Sequence, residues 1–172
     1  WSWSRGLGDV YKRQDNNIWP ALILTGIACL LLGMEVPTTA AYVICVSVAG
    51  PALVDMGLEL LQVHLFVFWF ALLSTITPPV CGTVFIASGM VSENWLKVSL
   101  TSMSLGIGLY FIPLAMIANE AIIKLDTDFL SSMTAFVKIA LSLVMLSYAF
   151  ISKNLIIVKM TAFVLALFVM FI

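Results

Sequence analysis

Two proline-containing breaks place hydroxyl groups inside otherwise apolar sequence. The first, "GMEVPTTAAY", runs from Gly33 to Tyr42, and the second, "LLSTITPPVCG", runs from Leu72 to Gly82. Proline has no N–H, and its ring clashes with the carbonyl four residues before it. Backbone carbonyls freed in this way, together with Ser and Thr hydroxyls, are oxygen ligands that suit a cation such as Na⁺. The two breaks are therefore candidate ion-binding elements.

The second break has the stronger pattern because two prolines are adjacent. Pro78 would free the carbonyl of Ser74, and Pro79 would free that of Thr75. Thr77 is placed to cap a second half-helix that has Pro78 at its first position. The prediction is a discontinuous helix, in which a C-terminal end with bare carbonyls faces an N-terminal end with bare amides.

Discontinuous helices of this kind form the ion and substrate sites of many secondary transporters. In the first break, Pro37 would likewise free the carbonyl of Gly33 if the chain were helical before it. Two such breaks could meet at one cavity. The alternative interpretation is that each proline is a kink that serves only helix packing.

The composition identifies the class of protein. The chain is 62% hydrophobic and 10% charged, with a mean hydropathy of +1.12, whereas soluble domains average about 25% charged residues. This composition predicts an integral membrane protein. The net charge is −1, and no basic stripe is present that would bind nucleic acid.

Metal and enzyme chemistry are not predicted. Cys29, Cys45 and Cys81 lie in apolar stretches without a C-x-x-C pair, so we interpret them as small buried residues. His64 is the only histidine and is interpreted as a polar anchor near a membrane interface. The sequence contains no recognisable nucleophile–base pair at membrane depth. We therefore expect no transition-metal site, no cofactor and no enzyme activity.

Residues 1–14 differ in character from the rest of the chain. The peptide "DVYKRQ", Asp9 to Gln14, is what the transposon end used in sequencing libraries encodes in one reading frame. We interpret 1–14 as a sequencing or assembly scar and exclude it from the fold. Residues 15–172 are then a membrane fragment whose native start is missing.

Two short apolar runs flank the first break. Ile18–Leu32 and Thr38–Val54 are both shorter than the roughly 20 residues that a helix needs to cross a bilayer. They are predicted to form an antiparallel, re-entrant hairpin over residues 18–56. Irregular backbone at membrane depth needs surrounding protein or a water-filled cavity. One long helix kinked at Gly33 and Pro37 is the alternative.

The remaining apolar segments complete an all-α membrane fold. A kink is expected at Pro113, and Lys138, inside a span, is expected to snorkel or face protein. The predicted elements after the hairpin are a broken helix over 65–90 and transmembrane helices over 96–118, 129–151 and 155–172.

Two stretches, "LGMEVPTTAAYVICVSVAGPALVDMG" and "HLFVFWFALLSTITPPVCGTVFIASGM", resemble the C-terminal repeat of the large membrane subunit of tripartite ATP-independent periplasmic (TRAP) transporters. The family pattern is a Gly-Met/Pro-Thr-Thr-Ala tip, then Thr-Pro-Pro-Val, then Ala-Ser-Gly. The form "VPTTAAY", with two spans after Ala118, is most similar to fused permeases that partner TAXI-type binding proteins. Glu35 departs from the small or apolar residue expected at the tip. The matching residues here are Gly33, Met34, Pro37, Thr38, Thr39, Ala40, Thr77, Pro78, Pro79, Val80, Ala87, Ser88 and Gly89.

The resemblance implies one half of an elevator-type secondary transporter built from inverted repeats. It would lie in a bacterial or archaeal cytoplasmic (inner) membrane and use a Na⁺ or H⁺ gradient. Carboxylate substrates would arrive on a periplasmic TAXI-type binding protein, and a small membrane subunit or its fused equivalent would be present. A non-transporting scaffold or a channel-like module is the alternative, and its thermal stability would not depend on the ion.

The family pattern and the freed carbonyls together define the candidate site residues. The ion-binding residues are Gly33, Thr38, Thr39, Ser74, Thr75, Thr77 and Pro78. The substrate-binding residues are Thr38, Thr39 and Pro79.

Overall fold

The computed structural model describes residues 17–79, 81–123, 128–152 and 155–171; the predicted scar, 1–14, lies outside these ranges. The described residues form eight α-helices and one short 3₁₀-helix, and no strand occurs among them. The α-helices are α1 (Ile18–Glu35), α2 (Thr38–Asp55), α3 (Leu60–Leu73), α4 (Gly82–Val91), α5 (Trp95–Leu105), α6 (Ile107–Ala118), α7 (Phe129–Ile151) and α8 (Ile156–Phe171), and the 3₁₀-helix is Glu120–Ile123.

Several of these helices have the length and composition of membrane spans. Within the described ranges, α1, α2 and α7 are long and apolar enough to cross a membrane, and the bent pair α5–α6 would make a fourth span. Large apolar side chains are also widely exposed, such as Met90 at 82%, Leu130 at 78% and Ile156 at 75%. In water such exposure would be unfavourable. The predicted all-α integral membrane fold is therefore confirmed.

The first break separates two antiparallel helices. Val36 is extended (φ −122°, ψ 157°), since a residue that precedes proline is disfavoured in the helical region. Cys29 and Cys45, equidistant from Pro37 in the sequence, form a side-chain hydrogen bond. One continuous helix would hold these two residues about 24 Å apart. The predicted antiparallel pair is confirmed, and the single kinked helix is wrong.

Both arms of this hairpin are longer than predicted. The first arm continues through Gly33 to Glu35, and each arm contains 18 residues. Helix α1 continues through the polar residue Glu35 and ends before Val36, because Pro37 disfavours helical backbone at the residue that precedes it. An 18-residue helix is about 27 Å long, close to the roughly 30 Å of a bilayer core. Each arm is therefore long enough to cross most of the bilayer core.

The chain divides into two compact units, whose boundary falls within α5 between Ser99 and Leu100. In the first unit, α1 packs on α3 through two glycines. A Cβ added at Gly26 would lie 3.1 Å from the Phe70 ring, and Gly33 is close to Ser74. From the first contact to the second, the residue number increases on both helices. It follows that α1 and α3 run parallel.

The second unit contains α6, α7, α8 and the 3₁₀-helix. Its buried core comprises Ala115, Ile139, Leu146, Ala166 and Met170. Serine and asparagine side chains add cross-links between its elements. Ser132 Oγ, for example, donates to the carbonyl of Ala121 in the 3₁₀-helix.

A bend at Gly106 separates α5 from α6. The two helices meet at Gly106 with an angle of 41°, whereas Pro113 is buried inside α6. Gly106 lacks a Cβ and is a weak point in a helix. Its carbonyl accepts from Leu109 N–H at 2.9 Å, a three-residue bond that tightens the turn. The bend at Gly106 was not predicted from the sequence, and the kink at Pro113 stays a prediction.

Candidate ion and substrate site

The tip of the hairpin contacts the second break through Gly33 and Ser74. Gly33 lies in the last turn of α1, and Ser74 directly follows α3 and is fully buried. A Cβ added at Gly33 would overlap Ser74 Oγ and would lie 2.7 Å from Ser74 Cβ. Small residues are what allow helices to approach this closely. The structure thus brings one predicted site residue from each break together.

Three hydroxyl groups of the second break bond back to the end of α3. Ser74, Thr75 and Thr77 donate through their side chains to the carbonyls of residues 71, 72 and 73, at 2.7, 2.8 and 2.7 Å. A helix C-terminus carries roughly half a negative charge, and these hydroxyl groups partly offset it. Each hydroxyl oxygen keeps lone pairs after donating its proton. The end of α3 is therefore surrounded by neutral oxygen atoms.

The two carbonyls predicted to be bare both accept hydrogen bonds. The carbonyl of Ser74 accepts from the N–H of Thr77 at 3.3 Å, because the chain continues in three-residue turns beyond α3. The carbonyl of Thr75 accepts from Thr83 Oγ1 at 2.7 Å. The prediction of bare carbonyls is wrong in this respect. A carbonyl has two lone pairs, so each can still offer one to a cation.

The second half-helix starts later than predicted. It begins at Gly82 with Cys81 at its N-cap, and Cys81 makes no side-chain capping bond. Pro78 cannot begin the helix, because the following Pro79 disfavours helical backbone at Pro78. Thr77 is consequently not the cap, and its hydroxyl donates back to α3 instead. The peptide bond between the two prolines is cis. The described residues of the break are 74–79 and 81.

Helix α5 contributes a side chain to the break. Ser99 is fully buried, and its Oγ donates to the carbonyl of Ile76 at 3.3 Å. Cys81 Sγ lies 3.8 Å from the same Ser99 Oγ. One serine therefore contacts both the middle and the end of the break. Together with Thr83, it holds the irregular segment in place through side-chain hydrogen bonds.

Thr38 and Thr39 lie in a groove between α2 and α3. They occupy the first turn of α2; Thr38 is half-buried and Thr39 is exposed. The groove has a volume of about 490 Å³ and ends at Leu72, two residues before Ser74. These two threonines are thus close to the second break along the groove. The groove is lined by Thr38, Thr39, Tyr42, His64, Leu65, Phe68 and Leu72.

A tyrosine–histidine pair crosses the same groove. The hydroxyl of Tyr42 on α2 lies 2.6 Å from Nδ1 of His64 on α3. Tyr42 also packs edge-on against Phe68, with ring centroids 5.9 Å apart. His64, interpreted from the sequence as an interfacial anchor, is half-buried and bonded to the neighbouring helix. The Tyr42–Phe68 contact, together with the approach of Gly50 on α2 to Val63 on α3, shows that α2 runs antiparallel to α3.

Sequence reasoning did not assign three contributors to the site. Thr83 was recognisable as a hydroxyl residue beside the break, but its bond to Thr75 depends on the later helix start. Ser99 lies in the predicted span 96–118, and its local sequence does not connect it to the break. The pairing of Tyr42 with His64 depends on the register between α2 and α3, which no local pattern specifies. All three are tertiary contacts.

The two prolines of the break are the remaining predicted site residues. Pro78 is half-buried and Pro79 is exposed, so neither belongs to the buried contact between Gly33 and Ser74. The oxygen atoms near that contact come from hydroxyl groups and carbonyls. Neutral oxygens of this kind at a half-helix end can bind a cation without a carboxylate.

Comparison with protein families gives a match over residues 4–129 to the model described as "Tripartite ATP-independent periplasmic transporter, DctM component". The matched range contains both breaks, and it starts inside the segment 1–14. No curated protein and no solved structure matches the chain. The family match covers well over half of the sequence and includes the Gly33–Ser74 contact. This multi-pass membrane chain therefore belongs to the DctM component family of TRAP transporters, which carry out transmembrane transport.

Proposed function

We propose that this chain is the C-terminal repeat of a TAXI-type fused permease that takes up carboxylate substrates by secondary active transport. A Na⁺ or H⁺ gradient drives uptake, and a periplasmic TAXI-type binding protein delivers the substrate. The small membrane subunit is a separate chain or a fused equivalent, and the assembly lies in a bacterial or archaeal cytoplasmic membrane. Family membership, the "VPTTAAY" tip and the helices α7 and α8 support this proposal.

The contact between Gly33 and Ser74 is the observation that carries the proposal. It joins the hairpin tip to a discontinuous helix, and discontinuous helices are the elements from which many secondary transporters build their sites. In this proposal α1 and α2 act as a re-entrant hairpin. The hairpin and the break then form half of the site, and the other repeat supplies the second half.

We place the coupling cation at the second break. The hydroxyl oxygens of Ser74, Thr75 and Thr77 surround the end of α3, and the carbonyl of Thr75 has a second lone pair beyond its bond to Thr83. Gly33 permits the close approach of the hairpin, and Pro78 keeps the backbone of the break out of a regular helix. The negative end of the α3 dipole favours a cation there.

The substrate carboxylate lies on the groove side of the same contact. Thr38 and Thr39 are in the first turn of α2, where the positive end of the helix dipole favours an anion. Their hydroxyl groups can donate to carboxylate oxygens, and Pro79 borders the site from the break. Cation and substrate are thus neighbours, so that binding of one can favour binding of the other.

The proposal is tested with the full-length transporter reconstituted in proteoliposomes. Uptake of a labelled carboxylate is measured with and without the binding protein, and with and without an inward cation gradient. We expect uptake to need both the binding protein and the gradient. Uptake that needs neither would identify a channel-like module, and binding without uptake under any gradient would identify a scaffold. Either result contradicts the proposal.

A matched pair of threonine variants tests the cation site. Thr75 and Thr134 each donate to the carbonyl three residues back, both at 2.8 Å, but only Thr75 lies at the break. Thr75→Val should raise the Na⁺ concentration for half-maximal uptake about tenfold, the effect of losing about 1.4 kcal/mol of binding free energy. Thr134→Val should leave that concentration unchanged. If Thr75→Val and Thr134→Val changed the Na⁺ requirement equally, the proposed position of the cation would be wrong.

A further inference from the structure

We propose that His64, held in place by Tyr42, binds the proton that makes uptake proton-dependent. This inference rests on the proposed function, because it assigns the group at which H⁺ acts within a transporter whose driving ion is Na⁺ or H⁺. It concerns the junction between α2 and α3 and no residue of the proposed cation site. The sequence has one histidine, and histidine is the side chain whose charge ordinarily changes between about pH 5 and 8.

The bond between the two side chains fixes the imidazole ring. Tyr42 Oη and His64 Nδ1 are 2.6 Å apart, and a tyrosine hydroxyl can both donate and accept. If Nδ1 already carries the proton, Nε2 accepts the incoming one, and the bond to Tyr42 is unchanged. If Tyr42 is the donor, the incoming proton binds Nδ1, and the hydroxyl turns to accept. In both cases the product is an imidazolium whose Nδ1–H donates to Tyr42.

Two grooves give access to His64 from opposite ends of α2. The first, of about 490 Å³, contains Thr38 and Thr39 and leads to the break. The second, of about 430 Å³, lies near the other end of α2 and contains Asp55. His64 lines both grooves and is only half-buried. A proton can therefore reach the ring from either groove.

Few titratable groups surround the ring. Within the two grooves, α2 provides Tyr42 and Asp55, and α3 provides His64 itself. An imidazolium at His64 would be attracted by the Asp55 carboxylate across the second groove, because the two charges are opposite. The titratable groups elsewhere on the packed elements have other positions: Cys29 bonds Cys45, Glu35 is exposed at the hairpin tip, and Glu59 caps α3.

The position of the pair links proton binding to the site. Tyr42 is one helical turn after Thr38 on α2, and His64 is on α3, the helix that leads to Ser74. A charge gained at this junction changes how α2 and α3 interact, since it adds an attraction towards Asp55 at one end of the hairpin. A change in the position of α2 relative to α3 would be transmitted along α2 to Thr38 and Thr39 at its other end.

The experiment measures uptake by the full-length transporter with its binding protein, at one fixed Na⁺ gradient. A pH gradient with the acidic side outside, which drives protons inward, is either imposed or abolished with an ionophore. We expect the pH gradient to stimulate the wild type, to have no effect on His64→Gln, and to have a weaker effect on Tyr42→Phe. Gln retains a hydrogen-bonding group but cannot become charged. Tyr148→Phe, a tyrosine on α7, should respond as the wild type.

A second measurement does not depend on transport. With ¹³C-labelled histidine, the NMR signal absent from His64→Gln identifies His64 in the full-length protein. We expect the chemical shift of this signal to change on acidification, because the inference requires protonation of the ring, and the change to differ in Tyr42→Phe. A signal whose chemical shift stays constant on acidification would overturn the inference. If His64→Gln fails to fold, Tyr42→Phe decides it.

The outcomes separate the two proposals. Stimulation of His64→Gln equal to that of the wild type would overturn the inference. Wild-type uptake that is the same with and without the pH gradient would also overturn the inference, while leaving Na⁺-driven transport intact. Absence of wild-type uptake under both gradients would instead contradict the proposed function.

Discussion

The two compact units of this chain accommodate polar groups among apolar helices in different ways. In residues 17–99, hydroxyl groups collect at interrupted helices, and Gly33 allows the hairpin tip to touch Ser74. In residues 100–171, a polar brace joins the helices instead. Asn119 Nδ2 donates to the carbonyls of Ala115 and Met170 at 3.1 and 2.8 Å, and Lys138 Nζ donates to Asn119 Oδ1 at 3.5 Å.

The difference indicates a division of roles. Interrupted backbone must be satisfied by side chains or by a ligand, because lipid offers no hydrogen-bond partners. The break that follows α3 therefore contains hydroxyl and carbonyl oxygen atoms, which are the ligands that a cation such as Na⁺ prefers. The brace around Asn119 has its polar atoms directed at one another, so it stabilises a fixed arrangement of α6, α7 and α8. We expect changes in the first unit to alter transport and changes in the second to alter stability.

The largest expected effect is that of Gly33→Ala. The new Cβ would overlap Ser74, whose own Cβ is 2.7 Å away and fixed to the backbone, so the hairpin tip must move. Overpacking of this kind costs about 1–3 kcal/mol, and we expect uptake to be lost. The measurements are uptake in proteoliposomes and the thermal unfolding midpoint in detergent.

Two other glycines provide control substitutions for Gly33→Ala. A Cβ at Gly108, in the second unit, would lie 3.0 Å from Leu143 Cδ2, the flexible end of a side chain, and one at Gly89 would meet nothing within 4 Å. Gly108→Ala should therefore be mild and Gly89→Ala neutral. Gly33→Ala combined with Ser74→Gly should recover stability. If Gly33→Ala behaved like Gly89→Ala, the contact between the two breaks would not exist.

The brace in the second unit predicts a smaller effect of a different kind. Asn119→Ala removes the bonds to Ala115 and Met170 and leaves Lys138 without its amide partner at that position. Hydrogen bonds contribute about 0.5–1.5 kcal/mol each, so we expect a loss of about 1–3 kcal/mol in the free energy of unfolding. Denaturant titration in detergent measures this loss.

The same variant also tests the division of roles. The Na⁺ concentration for half-maximal uptake by Asn119→Ala should equal that of the wild type, because the brace contains no proposed cation ligand. A marked change in that concentration would show that the second unit takes part in ion binding. The distinction between the two units would then fail.

Helix boundaries set by proline were predictable from the sequence to different degrees. Pro37 ends α1 through a local backbone restriction, whereas the hairpin was predicted from the lengths of its arms, with one kinked helix as the alternative. The tandem Pro78 and Pro79 were assigned the opposite role, that of a helix start. A single proline suits the first helical turn, but a proline followed by another is kept extended, which moves the start of α4 to Gly82.

The contacts that complete the site were less predictable because they depend on register. Thr83 and Ser99 reach the break from elements whose positions follow from packing, and Tyr42 meets His64 through the alignment of α2 with α3. The bend at Gly106 shows the same limit. Glycine and proline can both bend a helix, and the sequence alone did not indicate the bend at Gly106.

The smallest expected effect concerns the N-cap of α7. Ser131 donates to the Asp128 carboxylate through its hydroxyl at 2.6 Å and through its N–H at 3.3 Å. These bonds, the side-chain one first, lower the pKa of Asp128 below its ordinary value of 3.8. A carboxyl with a lowered folded pKa stabilises the protein fully above its unfolded pKa, and loses that contribution as the pH falls through the folded pKa.

Asp128→Asn should therefore reduce the thermal unfolding midpoint slightly at neutral pH, and the difference from the wild type should shrink as the pH falls below about 4. Ser131→Ala should bring the pKa of Asp128 back towards its ordinary value and so move the acid-sensitive range upward. Unfolding midpoints measured across this range, on both variants and the wild type, test the sign. A difference that grew on acidification would show that Asp128 is stabilised in its protonated form, and that the cap at α7 does not depend on its charge.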